Sequence, residues 1–396
     1  MSPAEERRAL IVLLTVIFLM IAGFGLVIPL LPFFAHAFDA DPWQVTLLFS
    51  AFSVGTFLGE NVWGRLSDRI GRRPVLIVTI AMVGLTYAAV AFAPNILVAF
   101  AIRFANGFFA GNISTLQGAL ADITPPEKRA ARMGLMGSAF SAGFMTGPAI
   151  GGFLAQPSRG ALGFQLPLLV AAGFALASTL AVILLVREHR PAGSTTMKRV
   201  KSAPLREVFA HPIIGRMVLI SFIVVAGFAG IEAIYGLWTE LEFGWGPREI
   251  GLAFMVIGGL GAVCQGWLSG RLARRWGEAR VLAGGLVFMG LGLVTQWLSP
   301  TWEVAMVGFA LVCLGQSICF PNISALISQA APPDRQGEML GLNMSGMALA
   351  RIGGPVLAGQ MFSLLSPGSP FALSALLILP ALWFAWAVIK RMPRLA

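Results

Sequence analysis

Charged residues are scarce in this 396-residue chain, in which Asp, Glu, Lys and Arg together make up 12%. A soluble domain has about twice that share. The chain also has few Cys and His, 3 of each. Cys264, Cys313 and Cys319 lie in apolar segments without paired spacing, so we expect neither disulfides nor a metal site. The sequence lacks H-E-x-x-H and Gly-rich nucleotide-binding motifs, which argues against an enzyme, a cofactor and ATP as an energy source.

Apolar residues are abundant, at 57% of the chain, with 46 Gly and 29 Phe. Runs of about 20 apolar residues, the length that crosses a bilayer as a helix, centre near positions 22, 54, 83, 106, 145, 176, 226, 258, 288, 314, 352 and 380. The first run is too long for a signal peptide and lacks a small-residue cleavage site. The sequence therefore predicts an all-α membrane protein with 12 transmembrane helices.

Basic residues outnumber acidic ones, 28 to 18. Most of them fall in every second segment between the apolar runs: 7–8, 65–73, 128–132, 187–216, 271–280, 335 and 390–394. By the positive-inside rule these segments lie in the cytoplasm, together with both termini. The basic charge therefore orients the chain in the bilayer, and we expect no nucleic-acid partner.

The two halves of the chain resemble each other. "GRLSDRIGRR" (64–73) aligns without gaps to "GWLSGRLARR" (266–275), with six of ten residues identical, and "PPEKR" (125–129) matches "PPDRQ" (332–336). The longest polar break follows the sixth apolar run. We predict two pseudo-symmetric six-helix bundles, residues 1–186 and 212–396, joined by a cytoplasmic linker at 187–211. Such duplication is typical of transporters, whose substrate site lies between the halves.

The segment after the second apolar run, "GRLSDRIGRRP", contains more than basic charge. A plain cytoplasmic loop would explain its arginines, but not its glycines and its acid at these spacings. The residues of this pattern are Gly64, Asp68, Arg69, Gly71, Arg72 and Arg73, and Asp122, which ends the fourth apolar run, is predicted to be a loop or gate residue. In the second copy Gly270 replaces Asp68, so the acid is present on one side only.

The fifth apolar run, "GLMGSAFSAGFMTGPAIGG", has small residues at helical spacing and an internal proline. Small residues permit close helix packing, and a proline kinks a helix and frees a carbonyl. Taken alone, this pattern indicates a kinked packing helix. Its motif positions are Gly134, Gly143, Gly147, Pro148, Gly151 and Gly152.

Three stretches, "SDRIGRRPVL" (67–76), "ADITPPEKRA" (121–130) and "GPAIGG" (147–152), resemble the major facilitator superfamily. The fifth-helix pattern is similar to that of its drug:proton antiporter branch, which includes tetracycline exporters. The resemblance implies the major facilitator fold and proton-coupled export of small amphipathic compounds, with a role in multidrug efflux and antibiotic resistance. It also implies that the segment with Gly64, Asp68, Arg69, Gly71, Arg72 and Arg73 forms an inner gate, in which Asp68 contacts the start of helix 11. Where tetracycline exporters carry acids in helices 1 and 3, this chain has Met20 and Thr86, so their substrate does not carry over.

The alternative is a proton symporter that imports a sugar, an organic acid or a peptide. Importers in the family typically lack the fifth-helix pattern, which favours export. A membrane enzyme or receptor is a third class, disfavoured by the repeat and by the missing catalytic motifs. The sequence leaves the substrate and the proton stoichiometry open. We expect a monomer in the cytoplasmic (inner) membrane of a bacterium, with protons and a small molecule as its partners.

Four ionisable residues lie well inside the apolar runs: Glu60, Arg103, Glu232 and Arg351. Charges at such depth cost free energy and mark functional sites or ion pairs. Glu232 and Arg103 lie at matching depths in helices 7 and 4, which line the cavity in the family. We predict that these two couple proton movement to transport, and that Glu60 and Arg351 serve structure or gating. Static ion pairs are the alternative for all four.

Polar residues in the apolar runs are the remaining candidates for substrate contacts. The predicted cavity residues are Asn112, Gln117, Tyr235, Gln316 and Asn322. Interhelical hydrogen bonding is an equally good explanation for the amides among them.

Overall fold

The computed structural model describes residues 3–186, 188, 211–332 and 335–390. All regular structure in these ranges is helical. The predicted linker, 187–211, lies outside them except for Glu188 and His211, so the domain boundaries stay a prediction.

The described residues form twelve long helical segments, which follow one another along the chain. The first six are α1 (Pro3–Val27, continued by a 3-10 turn at Ile28–Leu30 and by Leu31–His36), α2 (Pro42–Ile70), α3 (Arg72–Ala91), α4 (Ile96–Ala110 and Ile113–Asp122), α5 (Arg129–Leu154) and α6 (Gln165–Leu185, after a 3-10 segment at Pro157–Phe164). The second six are α7 (Ile214–Phe243), α8 (Pro247–Val263, a π-helical turn at Cys264–Leu268, and Ser269–Trp276), α9 (Glu278–Trp297), α10 (Trp302–Ala330), α11 (Gln336–Leu364) and α12 (Ser369–Ile389).

The prediction of an all-α membrane protein is confirmed. Ten of the twelve segments are long and apolar enough to cross a membrane. The other two, α5 and α11, have 26 and 29 residues, but their repeated glycines and serines make them less apolar. Large aliphatic side chains such as Leu97 and Leu184, each 74% exposed, would be unfavourable in water and suit contact with lipid.

Local signals in the sequence explain several helix ends. Asp41 and Gln44 form a capping box at the start of α2, and Asn95 accepts the backbone N–H of Val98 at the start of α4. Gly71, with φ of 104°, separates α2 from α3. Because a positive φ is readily adopted by glycine alone, this residue permits the sharp turn in the predicted gate segment.

The chain divides into two compact units, Met1–Lys198 with Trp245–Val256, and Arg199–Gly244 with Ile257–Ala396. In the first unit α1 packs on α5 and α3 packs on α6. In the second unit the equivalent pairs recur, α7 on α11 and α9 on α12. This repeated pairing agrees with the internal sequence repeat.

Candidate functional site

Glu232 lies on α7 in a stretch where every residue from Ala229 to Thr239 is buried. Its own side chain is 9% exposed. The charge of Arg351, an exposed residue on the neighbouring α11, acts on the Glu232 carboxylate. A carboxylate at this depth is costly as an anion unless a cation or a proton compensates it. The site therefore offers two competing ways to neutralise one acid.

Aromatic residues surround the next turn of α7. Tyr235 stacks on Phe309 of α10 with ring centroids 4.2 Å apart, and Trp238 packs edge-on against Phe371 of α12 at 4.7 Å. Buried Gln296 on α9 lies beside Tyr235. Because Tyr235 is 0% exposed, it does not line an open cavity in this structure.

Arg103 lies on α4 in the first unit and is 1% exposed. Its Nη1 donates to Asn106 Oδ1 at 3.1 Å, and Asn106 Nδ2 donates to Thr86 Oγ1 on α3 at 2.7 Å. The guanidinium lies 4.6 Å from the centre of the Phe52 ring on α2. Nε has no hydrogen-bond partner, and no carboxylate pairs with Arg103 in the part of the chain that the structure describes. Arg103 is thus a buried cation held by a polar network and a ring, without an acid.

The predicted partnership of Glu232 with Arg103 stays a prediction, because the two residues belong to different units. The charge of Arg351 on Glu232 is the interaction that the sequence missed. Counting residues from the helix ends placed Arg351 at a different depth in the membrane from Glu232. The structure shows that their helices, α7 and α11, pack directly on each other. Glu60, the fourth predicted charge, has an exposed side chain in the second half of α2, ten residues before the helix ends.

The predicted cavity amides fall into two groups. Asn112 and Asn322 are buried, and each donates its side-chain N–H to a hydroxyl of a neighbouring helix, Thr79 at 2.8 Å and Ser269 at 3.0 Å. These contacts join helices within a unit. Gln117 is exposed and Gln316 is half-buried, so these two remain available for contact with a substrate.

The predicted gate segment forms an ion cluster centred on Arg72, at the start of α3. Arg72 Nη1 lies 2.7 Å from Asp68 Oδ1, and Arg72 Nε lies 3.3 Å from Asp122 Oδ2 at the end of α4. Nη1 also donates to Ser67 Oγ at 2.6 Å. The cluster therefore joins the ends of α2 and α4 to the start of α3.

Glu188 was missed by the sequence analysis. Its two carboxylate oxygens accept the backbone N–H groups of Arg72 and Arg73, at 3.0 and 2.8 Å. Free N–H groups at a helix N-terminus favour a negative charge. Arg73 in turn donates to the carbonyl of Ile183 on α6, at 2.7 Å. These bonds fix the start of α3 to the end of α6.

The fifth-helix motif contacts two elements of its unit. A Cβ added at Gly143, Gly147 or Gly151 would lie within 2.3–2.7 Å of a backbone oxygen of α1. A Cβ at Gly152 would lie 2.4 Å from the carbonyl oxygen of Pro247, and one at Gly251 would lie 2.4 Å from that of Pro148. The motif thus brings α5 against α1 on one side and against the start of α8 on the other.

Two motif glycines make no such contact. A Cβ at Gly134 would meet nothing within 4 Å, so close packing does not explain that position. A Cβ at Gly64, in the gate segment, would meet only the Ser114 hydroxyl oxygen, at 3.2 Å.

Comparison with known proteins agrees with this architecture. The sequence model of the Major Facilitator Superfamily matches residues 13–278 and 217–396. The tetracycline resistance protein, class E, of Escherichia coli is 30% identical over 371 residues, 90% of this chain and 88% of the relative. The quinolone resistance protein NorA of Staphylococcus aureus (strain MRSA252) is 27% identical over 364 residues, 90% of each chain. Multidrug resistance protein 2 of Bacillus subtilis (strain 168) is 26% identical over 375 residues, 91% of this chain and 90% of the relative.

Solved structures share the fold. A bacterial homologue of the human lysosomal transporter Spinster superimposes with a TM-score of 0.82 at 16% identity over 100% of both chains. The human organic anion transporter MFSD10 (TETRAN) gives a TM-score of 0.71 at 24% identity over 97% of this chain and 100% of that one. Fold, repeat, motifs and matched sequence agree, and the chain belongs to the Major Facilitator Superfamily as a multi-pass membrane transporter.

Proposed function

We propose that this transporter is a secondary active exporter that exchanges protons for small amphipathic organic compounds by alternating access. The observation that carries the proposal is Glu232, a buried acid on α7 whose only compensating charge among the described residues of its unit is the exposed Arg351. An acid retained in apolar surroundings despite its insertion cost is typical of proton pathways.

The chemistry of coupling needs only this acid and its cation. When the site opens to the acidic side, the carboxylate takes up a proton and becomes a neutral acid, which no longer attracts the charge of Arg351. When the site opens to the cytoplasm, the acid gives up its proton and Arg351 again compensates the anion. Because the two forms differ by one charge, each favours a different arrangement of the helices around α7.

The relatives support the substrate class. Their names refer to quinolones, tetracyclines and multiple drugs, which are amphipathic organic molecules of moderate size. Half-buried Gln316 and exposed Gln117 are our candidates for polar contacts with such a molecule. We place the protein in the bacterial cytoplasmic membrane as a monomer, with both termini in the cytoplasm.

Import by proton symport is the competing function. α5 packs against the start of α8 through Gly152 and Pro247. Gly152 belongs to the fifth-helix motif, which resembles that of the antiporter branch. This observation favours export. The direction of proton-driven movement in the experiment below separates the two functions.

The test uses purified full-length protein in liposomes with an imposed pH gradient and three probes: ethidium, norfloxacin and tetracycline. Glu232→Gln keeps the size of the side chain and removes its titration. We expect it to abolish uphill transport while downhill exchange of the same probe continues. Glu303→Gln, at an exposed acid in the first turn of α10, is the matched control and should transport normally.

Two results would contradict the proposal. Normal uphill transport by Glu232→Gln would make Glu232 a structural residue. Accumulation of a probe in the direction of proton flow would show symport.

A further inference from the structure

The two copies of the gate segment differ in how their arginines are neutralised. In the first copy Asp68 and Asp122 bind the Arg72 side chain. In the aligned second copy Gly270 takes the place of Asp68, and Gln329 takes the place of Asp122. Both acids that neutralise the first copy are therefore missing from the second.

The third acid of the first copy has no counterpart either. Glu188 follows α6 and caps α3, whereas α12 is followed by "KRMPRLA", which contains no acid. Glu278, at the start of α9, accepts a hydrogen bond from Gln329 at 3.2 Å. No ion pair joins Arg271, Arg274 or Arg275 to any described residue.

The end of α8 presents these arginines on its outer face. Leu268 and Leu272 pack inward against the cluster of Cys264, Val281 and Ile318. The exposed arginines and tryptophans of this segment, which we name the α8 patch, are Trp267, Arg271, Arg274, Arg275 and Trp276. Trp267, Arg271 and Arg274 follow one another at spacings of four and three residues, so they share one face of the helix.

Tryptophans accompany the arginines. The guanidinium of Arg271 lies 3.9 Å from the centre of the Trp267 ring, and that of Arg275 lies 5.8 Å from the Trp276 ring. Trp267 is 58% exposed and Trp276 is 52% exposed. On α12, which ends on the same side of the membrane, Lys390 lies 3.5 Å from the centre of the Trp386 ring. Exposed tryptophans at the end of a membrane helix lie at the level of lipid head groups.

We propose that the α8 patch binds the phosphate of an anionic phospholipid, phosphatidylglycerol, in the cytoplasmic leaflet. The guanidinium fork matches phosphate geometry, and each arginine near a membrane surface is attracted to anionic lipid. The tryptophan rings fix the depth at which the arginines meet the head group. The inference goes beyond transport and depends on the membrane orientation alone.

The test is lipid binding to purified, delipidated full-length protein, followed by native mass spectrometry. Palmitoyl-oleoyl phosphatidylglycerol and the matching phosphatidylcholine are titrated separately. The triple variant R271Q/R274Q/R275Q should bind phosphatidylglycerol about 100-fold more weakly, since each arginine contributes about 1 kcal/mol near the surface. Its binding of phosphatidylcholine should not change. Trp267→Leu, which keeps all three charges, should also weaken phosphatidylglycerol binding.

The matched control is R7Q/R8Q/R129Q, which removes three exposed arginines from the same side of the first unit. It should bind the lipid within about twofold of the original chain. If both triple variants lost phosphatidylglycerol binding equally, net charge would explain the loss and the proposal would be overturned. Unchanged binding by both variants would also overturn it. Inorganic phosphate that displaced the lipid at equal concentration would also overturn it, because the site would then recognise free phosphate. If the α8 triple variant does not fold, Trp267→Leu decides, and unchanged binding by it refutes the proposal.

Discussion

Gly147 on α5 and its repeat counterpart Gly354 on α11 should be the least replaceable positions of the two packing motifs. A Cβ at Gly147 would lie 2.3 Å from the carbonyl oxygen of Ala22, and a Cβ at Gly354 would lie 2.3 Å from that of Ala226. Both obstacles are backbone atoms of the facing helix, so no rotamer change can relieve the clash. We therefore expect Gly147→Ala and Gly354→Ala to force the helices apart.

The size of the effect follows from the geometry. Ordinary van der Waals contact for a Cβ begins at 3.4 Å, so the helices must separate by about 1 Å, which forfeits a quarter to a half of the dispersion energy at the contact. In a membrane this packing is a main force between helices. An added methyl group in a packed interior costs about 1–3 kcal/mol, and we expect each substitution to destabilise its unit by that amount.

The same motifs supply the control. Gly134 and Gly341 are also repeat counterparts, and a Cβ at either would meet nothing within 4 Å. Alanine there should gain about 0.5–1 kcal/mol, because glycine is the poorer residue in a helix interior. The structure thus predicts that replacing glycine by alanine lowers stability at Gly147 and Gly354 and raises it at Gly134 and Gly341.

In the assay the purified protein is heated in one detergent, and size-exclusion chromatography measures the fraction that stays soluble at each temperature. The midpoint is the temperature at which half of the protein is lost. Gly147→Ala and Gly354→Ala should lower the midpoint relative to the original chain, and Gly134→Ala and Gly341→Ala should leave it equal or higher. Equal midpoints for all four variants would refute the argument that these close contacts stabilise the units. Loss of transport in Gly134→Ala with unchanged stability would show a role for that glycine other than packing.

Two further predictions concern the cytoplasmic side. Cysteines placed at Ser194 and Ser202 should be protected from impermeant thiol reagents in intact cells and react after lysis; ready labelling of intact cells would reverse the orientation. Asp68→Asn should reduce the transport rate about twofold in folded protein, since it removes an exposed i,i+4 ion pair of Arg72 that contributes about 0.3–0.5 kcal/mol. Asp39→Asn, at an exposed acid between α1 and α2, should leave the rate unchanged, and equal losses would indicate a general charge effect.

The fold was predictable because bilayer crossing imposes simple rules on sequence. Apolar length gave the helices, and alternating basic charge predicts their orientation, which stays a prediction. The breaks inside the helices were not predicted. The interruption of α4 at Gly111 and Asn112 and the π-helical turn of α8 are local departures from regular helix, which hydropathy does not report.

The burial of Glu232 and Arg103 was predictable, their pairings were not, and their role in coupling stays a prediction. Glu232 and Arg103 were found because buried charge is rare in such a chain. Arg351 as a partner of Glu232 requires the packing of α7 on α11, and Glu188 as the cap of α3 requires the end of α6 to lie beside the start of α3. Both contacts join residues more than 100 positions apart, where helical spacing carries no information.

Arg103 and Glu232 differ in how far the protein compensates the free-energy cost of their burial. Arg103 has Asn106 and the Phe52 ring, and a delocalised guanidinium tolerates such partial solvation without losing its proton. Glu232 lies among apolar and aromatic residues, and its compensating cation is on the exposed side of α11. A carboxylic acid can also become neutral within the physiological pH range when its surroundings favour it, which an arginine cannot. In the proposed mechanism the acid is therefore the group on which a proton gradient acts, and the arginine stays a fixed charge.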